Sequence, residues 1–343
     1  SPRQIAPTKA LDIVKRLPSD VITVGVFRDE HPKRVLEIAR TARLKGVQLH
    51  GNEPLDAVQT VTQEVRFAIK AVVAGSDAAR RANDYGTDAI LSSNACLDKL
   101  GIPHVGTGVN RAAARASAVI ERNGTRFGFL QRTSQYWPNH HEAGEMHPGV
   151  AVVKAYTAYQ PVYYKDGTLP PNRPGTPPKI LTWCDRQYLE WFKEDIRELR
   201  KKSDVVVSSH HMGHRGDILD FQQEIAHTAI DEGADVVMAH AEHYPLAVEI
   251  YKGKPIYYGL GSFCFIKSNK RFLKGWVGMM ARVSFDDGKI AKMGFSLVRQ
   301  LDSTEVVIRP VNEEQAALDV IKALSKRFGT KFEVSGDEVF ISA

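Results

Sequence analysis

Five histidines follow two short apolar runs of this chain, and residues of that type at that spacing can bind metal ions. They are His210, His211 and His214 after the first run, and His240 and His243 after the second. The runs are rich in valine, which predicts strands at residues 204–208 and 235–239. Parallel strands carry their following loops to one edge of a sheet, so the two clusters are expected to converge. Neutral imidazoles are suitable ligands for Zn²⁺, Mn²⁺ or Fe²⁺. We therefore predict a site for a divalent metal ion, and the sequence does not distinguish these three metals.

The surrounding pattern supplies the elements that would position these histidines. Helices are predicted at 185–203, with Asp185 as the N-cap, and at 217–234. A β-rich stretch follows from Val248 to Ser296, and the tail carries a helix at 313–328 and a final small hairpin. Strands that alternate with helices of this length indicate right-handed βαβ units. The predicted class is therefore α/β, with a parallel or mixed sheet throughout.

The first 93 residues repeat this alternation of strand and helix. The predicted strands are 21–27, 46–51, 66–74 and 87–93, and the predicted helices are 31–44, 55–65 and 76–86. Four βα units cannot close an eight-stranded barrel. Their sheet is therefore expected to pair with, or pack on, another part of the protein.

The bulk composition limits the partners and the compartment. A formal charge of +6 allows an anionic substrate, but the basic residues are scattered, so nucleic acid is not an expected partner. The cysteines Cys96, Cys184 and Cys264 lack metal or haem spacing, which predicts reduced, mostly buried thiols. No apolar run of about 18 residues and no signal segment is present, so we expect a cytoplasmic protein without a transmembrane segment. A lost N-terminal segment could still have carried an address.

Residues 134–182 have little periodicity and are rich in Pro, Tyr and Gly. A loop of that length in a compact enzyme usually has a function, so we expect it to form one wall of a substrate site. The same aromatic residues also suit plain packing beneath a loop. Both interpretations stay open.

Five segments of the first 93 residues resemble phosphoribosylanthranilate isomerase, a (βα)8 barrel; they are SPRQIAPTKALDIVKRLP, VGVF, GVQLHGNE, AIKAV and YGTDAILSS. The resemblance corresponds only to the middle of that barrel, from after its second strand to its sixth. The family's catalytic cysteine lies on a strand that this chain lacks, and its catalytic aspartate falls where this chain has Ser92 and Ser93. The resemblance therefore implies (βα)4 units of a partial barrel, without isomerase activity.

Residues 94–330 carry a second set of motifs, LDKLGIPHVGTG, DVVVSSHHMGH, AIDEGADVVMAHAEHYPL and VEIYKGKPIYYGLGSFCF. Together they resemble the CapA capsule-synthesis family, whose fold is that of the calcineurin-like metallophosphatases. The resemblance implies an α/β/β/α sandwich, and it places His211, His240 and His243 where that family has its site histidines. The chain departs from the family's motifs at Met212, Ala239, Glu242 and Ser262.

The resembled family completes its metal site with residues from its first half. SSNACLD can be aligned with its Asn-Asn-His motif, which gives Asn94 as an amide ligand. GNEP can be aligned with its glutamate motif, which gives Glu53 as a carboxylate ligand, and Asp29 stands in for its first aspartate. The alternative is an ordinary structural role, with Asn94 as a turn or cap residue and the carboxylates as solvated loop residues.

The leading functional hypothesis is a metal-dependent hydrolase acting on a small-molecule or peptide substrate. The bond would be a peptide, isopeptide or phosphoester bond in capsule or poly-γ-glutamate metabolism, as the resemblance implies. A bound divalent ion would act as a Lewis acid. His210, His211 and His214 are the predicted catalytic residues, with His210 or His214 as the proton carrier. The alternatives are a peptide epimerase on the same fold and a non-catalytic peptide- or glycan-binding protein with a degenerate metal site.

The predicted domain organisation has three parts. They are an isomerase-like βα segment at 1–93, a CapA-like metallophosphatase-fold domain at 94–310, and a C-terminal helix with a small β tail at 311–343. The sequence does not determine the substrate, the identity of the metal or the oligomeric state.

Overall fold

A computed structural model describes residues 5–18, 21, 23–49, 53–65, 68–70, 87–136, 141–161, 175, 177–214, 216–263, 277–301 and 305–343. The predicted helix at 76–86, all but three residues of the predicted strand at 66–74, and Cys264 lie outside these described residues. Helices and strands are both present, so the chain is a mixed α/β protein. Within the described ranges, no helix has both the length and the apolar content needed to cross a bilayer.

The described residues form eight α-helices and 18 strands. The α-helices are α1 (Pro7–Lys15), α2 (Pro32–Thr41), α3 (Leu55–Glu64), α4 (Thr87–Lys99), α5 (Arg111–Arg115), α6 (Arg186–Lys202), α7 (Asp220–Asp231) and α8 (Gln315–Ser325). The first nine strands are β1 (Val24–Phe27), β2 (Gly46–Leu49), β3 (Ala68–Lys70), β4 (Thr107–Gly108), β5 (Ala118–Arg122), β6 (Thr125–Thr133), β7 (Gly149–Val150), β8 (Ala155–Gln160) and β9 (Lys179–Cys184). The others are β10 (Val205–His211), β11 (Val236–His240), β12 (Val248–Tyr251), β13 (Lys254–Tyr257), β14 (Gly278–Asp286), β15 (Lys289–Gln300), β16 (Val306–Arg309), β17 (Lys331–Ser335) and β18 (Glu338–Ser342).

The chain divides into two compact units, Ser1–Arg80 with Asp98–Gly101, and Arg81–Leu97 with Ile102–Ala343. In the smaller unit, β1, β2 and β3 form a parallel sheet in that order. Helices α2 and α3 alternate with these strands and share a small apolar core with the sheet. The described part of this unit thus has the predicted parallel βα pattern. The predicted domain boundaries at residues 93 and 310 stay predictions.

The larger unit is built on a six-stranded sheet with the order β12-β13-β11-β10-β6-β5. Strand β10 pairs in parallel with β6 on one side and with β11 on the other. Strand β11 pairs in parallel with β13, whereas the outer strands β5 and β12 are antiparallel to their neighbours. Because β6, β10 and β11 run in one direction, their C-terminal ends lie at the same edge of the sheet, where α/β proteins build sites.

Successive residues of β10 point to opposite faces of this sheet, and the two faces have different neighbours. Val206 packs in a core with Phe192 of α6 and Ile225 of α7. Val205 and Val207 pack in a second core, which contains residues of β14, β15 and β18. Both faces are therefore covered, which explains why the central strands read as nearly continuous apolar runs.

A five-stranded sheet forms the next layer of the larger unit. Its order is β14-β15-β18-β17, and β16 pairs with the C-terminal part of β15. Strands β14 and β15 form a long hairpin that turns at Asp287-Gly288. Leu318 and Ile321 of α8 join the core between the two sheets, and the predicted final hairpin is present as β17 and β18. The described layers are thus helices, a six-stranded sheet and a five-stranded sheet.

Helix α6 begins where the sequence predicts. The carboxylate of Asp185 accepts hydrogen bonds from the backbone N–H groups of Gln187, at 2.9 Å, and Tyr188, at 3.3 Å, as an N-cap residue does. The apolar stripe of the helix buries Phe192 and Ile196. This stripe covers the face of the sheet that carries the even-numbered residues of β10.

Residues 87–93 are helical, so the strand predicted there is wrong. They form the first part of α4, in which the Ser93 hydroxyl donates to the carbonyl of Ala89 at 2.8 Å, four residues earlier. Ile90 is buried, whereas Cys96 on the same helix is exposed, contrary to the predicted buried thiol. A short apolar run does not distinguish a strand from one turn of a partly buried helix, which is why the sequence pattern failed here.

The predicted loop at 134–182 contains three strands that the sequence pattern missed. Strands β8 and β9 form an antiparallel hairpin in which Tyr156 faces Trp183, with ring centroids 6.0 Å apart. The alternating residues of these strands were obscured by the surrounding Pro- and Gly-rich sequence. Cys184 ends β9 and is buried as predicted. Residues 137–140, 162–174 and 176 of the predicted loop lie outside the described residues.

Candidate functional site

His211 and His240 lie side by side at the C-terminal ends of two neighbouring strands. His211 is the last residue of β10, His240 is the last residue of β11, and the two are register partners in the parallel pairing. Their ring centroids are 5.4 Å apart, and their ring planes are inclined at 63°. Register partners point to the same face of a sheet, so the strand pairing itself brings these two rings together.

The polar end of β6 holds the His211 ring. Thr133 is the register partner of His211 on that strand, and its Oγ1 lies 3.0 Å from Nδ1 of His211. The backbone N–H of Ser134 donates to the carbonyl of His211 at 3.0 Å. A hydrogen bond at Nδ1 orients the ring and leaves coordination to Nε2, which is the usual arrangement of a metal-binding histidine. Sequence reasoning missed Thr133, for which the only signal was the polar end of the strand.

The loop after β11 reaches His243 through an unusual backbone conformation. Ala241 and His243 have positive φ angles of 108° and 66°, which residues with a Cβ rarely adopt. Nδ1 of His243 lies 3.0 Å from the hydroxyl oxygen of the buried Ser262. Strain of this kind persists only where surrounding contacts enforce it, and it is concentrated at functional loops.

The electrostatics of the cluster favour neutral rings. Burial lowers the pKa of His240 to about 4, and the neighbouring His211 and His243 contribute to the shift. Burial also lowers the pKa of His211, again with a contribution from His243. The charge of His243 thus affects the titration of both rings. His211 and His240 are neutral at pH 7, which is the form that binds a metal ion.

His210 lies on the opposite face of β10 and is separated from this cluster. It is 1% exposed, its Nε2 lies 2.8 Å from the hydroxyl oxygen of Ser208, and its ring packs edge to face against Phe192. Burial and the charge of Arg132 lower its pKa to about 3. Adjacent residues of a strand alternate between faces, so His210 cannot share an edge site with His211. The predicted role of His210 as a proton carrier stays a prediction, and its burial favours His214 for that role.

His214 lies on the loop after β10, where it is exposed. The backbone N–H groups of Met212 and Gly213 donate to the carbonyl of His240, at 3.1 and 2.9 Å. The amide of Gln222 on α7 donates to the carbonyl of Met212 at 2.8 Å. This loop therefore joins the ends of β10 and β11, and His214 is the predicted proton carrier that remains accessible to solvent.

Glu242 stands between His240 and His243 and was not among the predicted site residues. Its side chain is buried, and its Oε1 accepts a hydrogen bond from the backbone N–H of Gly261 at 3.0 Å. Gly213 lies directly against it, because a Cβ at that position would be 2.2 Å from Oε2 of Glu242. Burial raises the pKa of this carboxyl to about 7. The signal that could have identified it in the sequence was the position of an acidic residue between two histidines of the same loop.

The two predicted oxygen ligands each have a local hydrogen-bond partner. On α4, the amide oxygen of Asn94 accepts from the hydroxyl of Thr107 at 2.8 Å. In the smaller unit, the carboxylate of Glu53 accepts from the backbone N–H of Asp29 at 3.0 Å. Hydrogen bonds of this kind agree with the alternative that the sequence allowed, in which both residues have an ordinary structural role. As metal ligands, Asn94 and Glu53 stay predictions.

The rings of His211 and His240 are close enough to bind one ion, since Zn–N bonds are about 2.0–2.1 Å long. Among the residues that the structure describes, no three His, Cys, Asp or Glu side chains stand at the spacing of a completed metal site. The described part of the chain thus provides a pair of oriented, neutral imidazoles with a third nearby, rather than a closed coordination sphere.

Comparison with known families identifies two matching profiles. The profile described as "Bacterial capsule synthesis protein PGA_cap" matches residues 58–267. The profile described as N-(5'phosphoribosyl)anthranilate (PRA) isomerase matches residues 1–110. The two ranges overlap, so no single position separates the two resemblances. Both histidine clusters lie within the capsule-synthesis range.

Individual relatives follow the same division. A probable polyglutamine synthesis accessory protein of Mycobacterium tuberculosis is 26% identical over 183 residues, which cover 52% of this chain and 41% of the relative. The PGA biosynthesis protein CapA of Bacillus subtilis is 37% identical over 78 residues, covering 22% and 20%. The N-(5'-phosphoribosyl)anthranilate isomerase of Thermotoga petrophila is 40% identical over 72 residues, covering 21% and 35%. The chain spans less than half the length of each of these curated relatives.

Proposed function

The chain belongs to the bacterial capsule synthesis protein family PGA_cap, and from that premise we propose that it is a metal-dependent hydrolase. Relatives named CapA and polyglutamine synthesis accessory protein connect the family with capsule and polyglutamate synthesis. The proposed substrate is a peptide, isopeptide or phosphoester in that metabolism. The proposal concerns this chain alone, which covers only part of those relatives.

The proposed architecture is the α/β/β/α sandwich of calcineurin-like metallophosphatases for the larger unit, and part of a (βα)8 barrel for the smaller one. Helices α6 and α7 cover one face of the six-stranded sheet, and the five-stranded sheet covers the other. Three parallel strands that alternate with helices support the partial barrel.

One observation carries the functional proposal. His211 and His240 are register partners at the ends of neighbouring parallel strands, and their ring centroids are 5.4 Å apart. Two solvent-exposed histidines at this distance would repel each other when protonated, and no strand pairing would hold their rings together. Here burial keeps both rings neutral, so the pair is stable in the form that coordinates a metal.

The proposed nitrogen ligands are His211, His240 and His243, and Asn94 or Glu53 is proposed as an oxygen ligand. A bound Zn²⁺, Mn²⁺ or Fe²⁺ would supply Lewis acidity and would lower the pKa of a bound water. The donor set fits such borderline ions, because imidazole nitrogens with one amide or carboxylate oxygen are ligands that they accept.

The other residues of the site have separate roles in the proposal. Thr133 and Ser262 orient the rings of His211 and His243 through hydrogen bonds at Nδ1. His214, which is exposed on the loop after β10, is proposed to carry a proton to or from the substrate. Its exposure lets it exchange that proton with solvent, which the buried His210 cannot do.

A non-catalytic peptide- or glycan-binding protein is the second candidate function. It is favoured by the finding that no three potential ligands among the described residues stand at metal-site spacing. In that case the strand-end histidines would act as hydrogen-bonding groups for the ligand. The two candidates differ in whether the protein retains a metal ion.

The metal content of the purified chain tests the proposal. After incubation with Zn²⁺, Mn²⁺ or Fe²⁺ and dialysis, emission spectroscopy should find about one retained ion per chain. The variants H211A and H240A should lose that ion. The matched control is H227Q, because His227 is a histidine of the same unit that is not a proposed ligand and whose Nε2 lies 2.9 Å from the carboxylate of Glu249. A wild-type chain without bound metal, or an H240A variant that retains it, contradicts the proposal.

Hydrolysis assays provide the second measurement. γ-Glutamyl peptides and a generic phosphoester are offered to the metal-loaded chain, and the substrate that is cleaved identifies the bond. The H214A variant should lose about 10²-fold in rate, the lower range for the loss of a general acid or base. It should keep its metal, which separates the loss of a proton carrier from the loss of the site.

A further inference from the structure

A cleft beside helix α6 lies outside the histidine cluster and has no role in the function proposed above. Three arginines line it, Arg111, Arg115 and Arg132, together with Trp191. Its residues enclose little space, and the gap between them reaches about 280 Å³ only when the space open to solvent is included. All of these residues belong to the larger unit.

Two of the three arginines already have carboxylate partners. Asp195 accepts two hydrogen bonds from Arg115, both at 2.9 Å, and it also accepts one from Arg132. Arg132 is 1% exposed and donates in addition to the carbonyls of Gln131 and Arg115. These bonds hold Arg115 and Arg132 in fixed positions, and the two guanidinium groups neutralise the carboxylate of Asp195.

Arg111 is held in place without a buried carboxylate partner. Its guanidinium carbon lies 4.8 Å from the ring centroid of Trp191, which fixes the plane of the group. Its Nε is buried, and no acceptor among the described residues is within hydrogen-bonding distance of it. The nearest ion pair is with Glu145 at 3.8 Å, and Glu145 is 86% exposed, so this pair contributes little. A buried donor of this kind is unfavourable until a ligand supplies an acceptor.

The charge balance of the lining selects the class of ligand. The three arginines face the carboxylates of Asp195 and Glu142, and Glu142 accepts a hydrogen bond from the hydroxyl of Tyr188. Glu194, which pairs with Arg115 at 3.4 Å, and Glu145, which pairs with Arg111, are 61% and 86% exposed, so solvent screens both carboxylates. Among the groups that line the cleft, one positive charge is left over, which a monoanion neutralises and a phosphate dianion would exceed. Val150 and Val152 also line the cleft, so the ligand should carry a short apolar stem.

We propose that this arginine cleft (Arg111, Arg115, Arg132 and Trp191) binds the carboxylate of a small monoanion with a short apolar stem. Arg111 supplies the hydrogen bonds to the carboxylate, for which its planar guanidinium is the matching donor. The site is separate from the proposed metal site, because Arg132 lies on the face of β6 opposite Thr133. The proposal for this cleft does not depend on whether the chain is a hydrolase.

Titration of the full chain with sodium butyrate, butyramide and inorganic phosphate tests this site. Binding is followed by tryptophan fluorescence in the presence of 1,10-phenanthroline, a neutral chelator that removes metal without adding a carboxylate. Saturable butyrate binding is expected, with affinity at least tenfold weaker in R111M. R111K keeps the charge but lacks the planar donor, so its affinity should be intermediate. R126M is the matched control, because Arg126 pairs with Asp204 outside the cleft.

Three results would overturn the assignment. They are the absence of saturable butyrate binding, an unchanged affinity in R111M, and binding of phosphate or butyramide at least as tight as that of butyrate. The metal content of R111M is expected to equal that of the wild-type chain. A failure of the cleft therefore leaves the metal proposal intact, and a failure of metal binding leaves the cleft intact.

Discussion

Strands β1 and β10 have similar apolar sequences but very different surroundings. In the smaller unit, β1 is at the edge of the three described strands, and Val26 at its centre is 64% exposed. In the larger unit, β10 lies between two parallel neighbours, with helices on one face and a second sheet on the other. The strand sequence sets the extended conformation in both, whereas the number of packed layers sets the burial.

This difference has a chemical consequence. At the ends of β10 and β11, coverage of the sheet desolvates His210, His211 and His240 and lowers the pKa of each. The edge strand β1 is followed by Arg28 and Asp29, which are both solvent-accessible. Two-sided coverage is therefore what converts a histidine at a strand end from a solvated group into a neutral candidate ligand.

The largest expected effect of removing an apolar side chain is on the stability of the covered sheet. Phe192→Ala removes a fully buried ring from the core beneath β10 and should destabilise the larger unit by about 3–5 kcal/mol. Leu49→Ala in the smaller unit should lower only the midpoint temperature of that unit's unfolding transition. Calorimetry of both variants measures this. If each variant shifts one common transition, the two units unfold together and the contrast between them does not hold.

The next effect is on the pH dependence of stability. The pKa of His210 is lowered to about 3 in the folded chain, below its ordinary value, so the unfolded chain binds the proton first. This contribution to stability is present above about pH 6.5 and is lost as the pH falls toward 3. Between pH 7 and pH 5 the loss is about 2 kcal/mol, and H210Q should lack it. Urea unfolding of both chains at these two pH values measures the difference, and equal pH dependence contradicts the assignment.

A smaller effect distinguishes the two predicted oxygen ligands. N94A should weaken metal binding about tenfold, or about 1.4 kcal/mol, because its amide lies in the same unit as the histidines. E53Q should leave the affinity unchanged, because the carboxylate of Glu53 binds the N–H of Asp29 in the smaller unit. Competition with a chromogenic chelator measures both variants. If E53Q rather than N94A loses affinity, the two units contribute jointly to the metal site.

The smallest effect concerns the exposed edge strand. Val26→Lys should change the stability of the smaller unit by less than about 0.5 kcal/mol, because its side chain already contacts solvent. Val207→Lys, the corresponding change in the covered sheet, should prevent folding of the larger unit. Circular dichroism during thermal unfolding compares the two variants. A large loss from Val26→Lys would mean that β1 is covered in solution.

Much of the fold could be predicted from local pattern. The parallel strands, helix α6 with its Asp185 cap and the final hairpin all have strong periodic or capping signals. The helix at residues 87–93 and the β8–β9 hairpin were missed, because short apolar runs and Pro-rich flanks carry ambiguous signals. Of the predicted catalytic histidines, His210 lies buried on the face of β10 opposite His211, and that alternation of strand faces was already available from the sequence.

The sequence by itself determined that two apolar strands end in histidines and that the chain resembles capsule-synthesis proteins. Only the tertiary structure decided which histidines meet, because the register of β10 against β11 pairs His211 with His240. It also decided which rings are neutral and how Arg111 is left without a buried acceptor among the described residues. Spacing along a chain fixes direction and alternation, whereas burial and charge balance depend on residues distant in sequence that packing brings together.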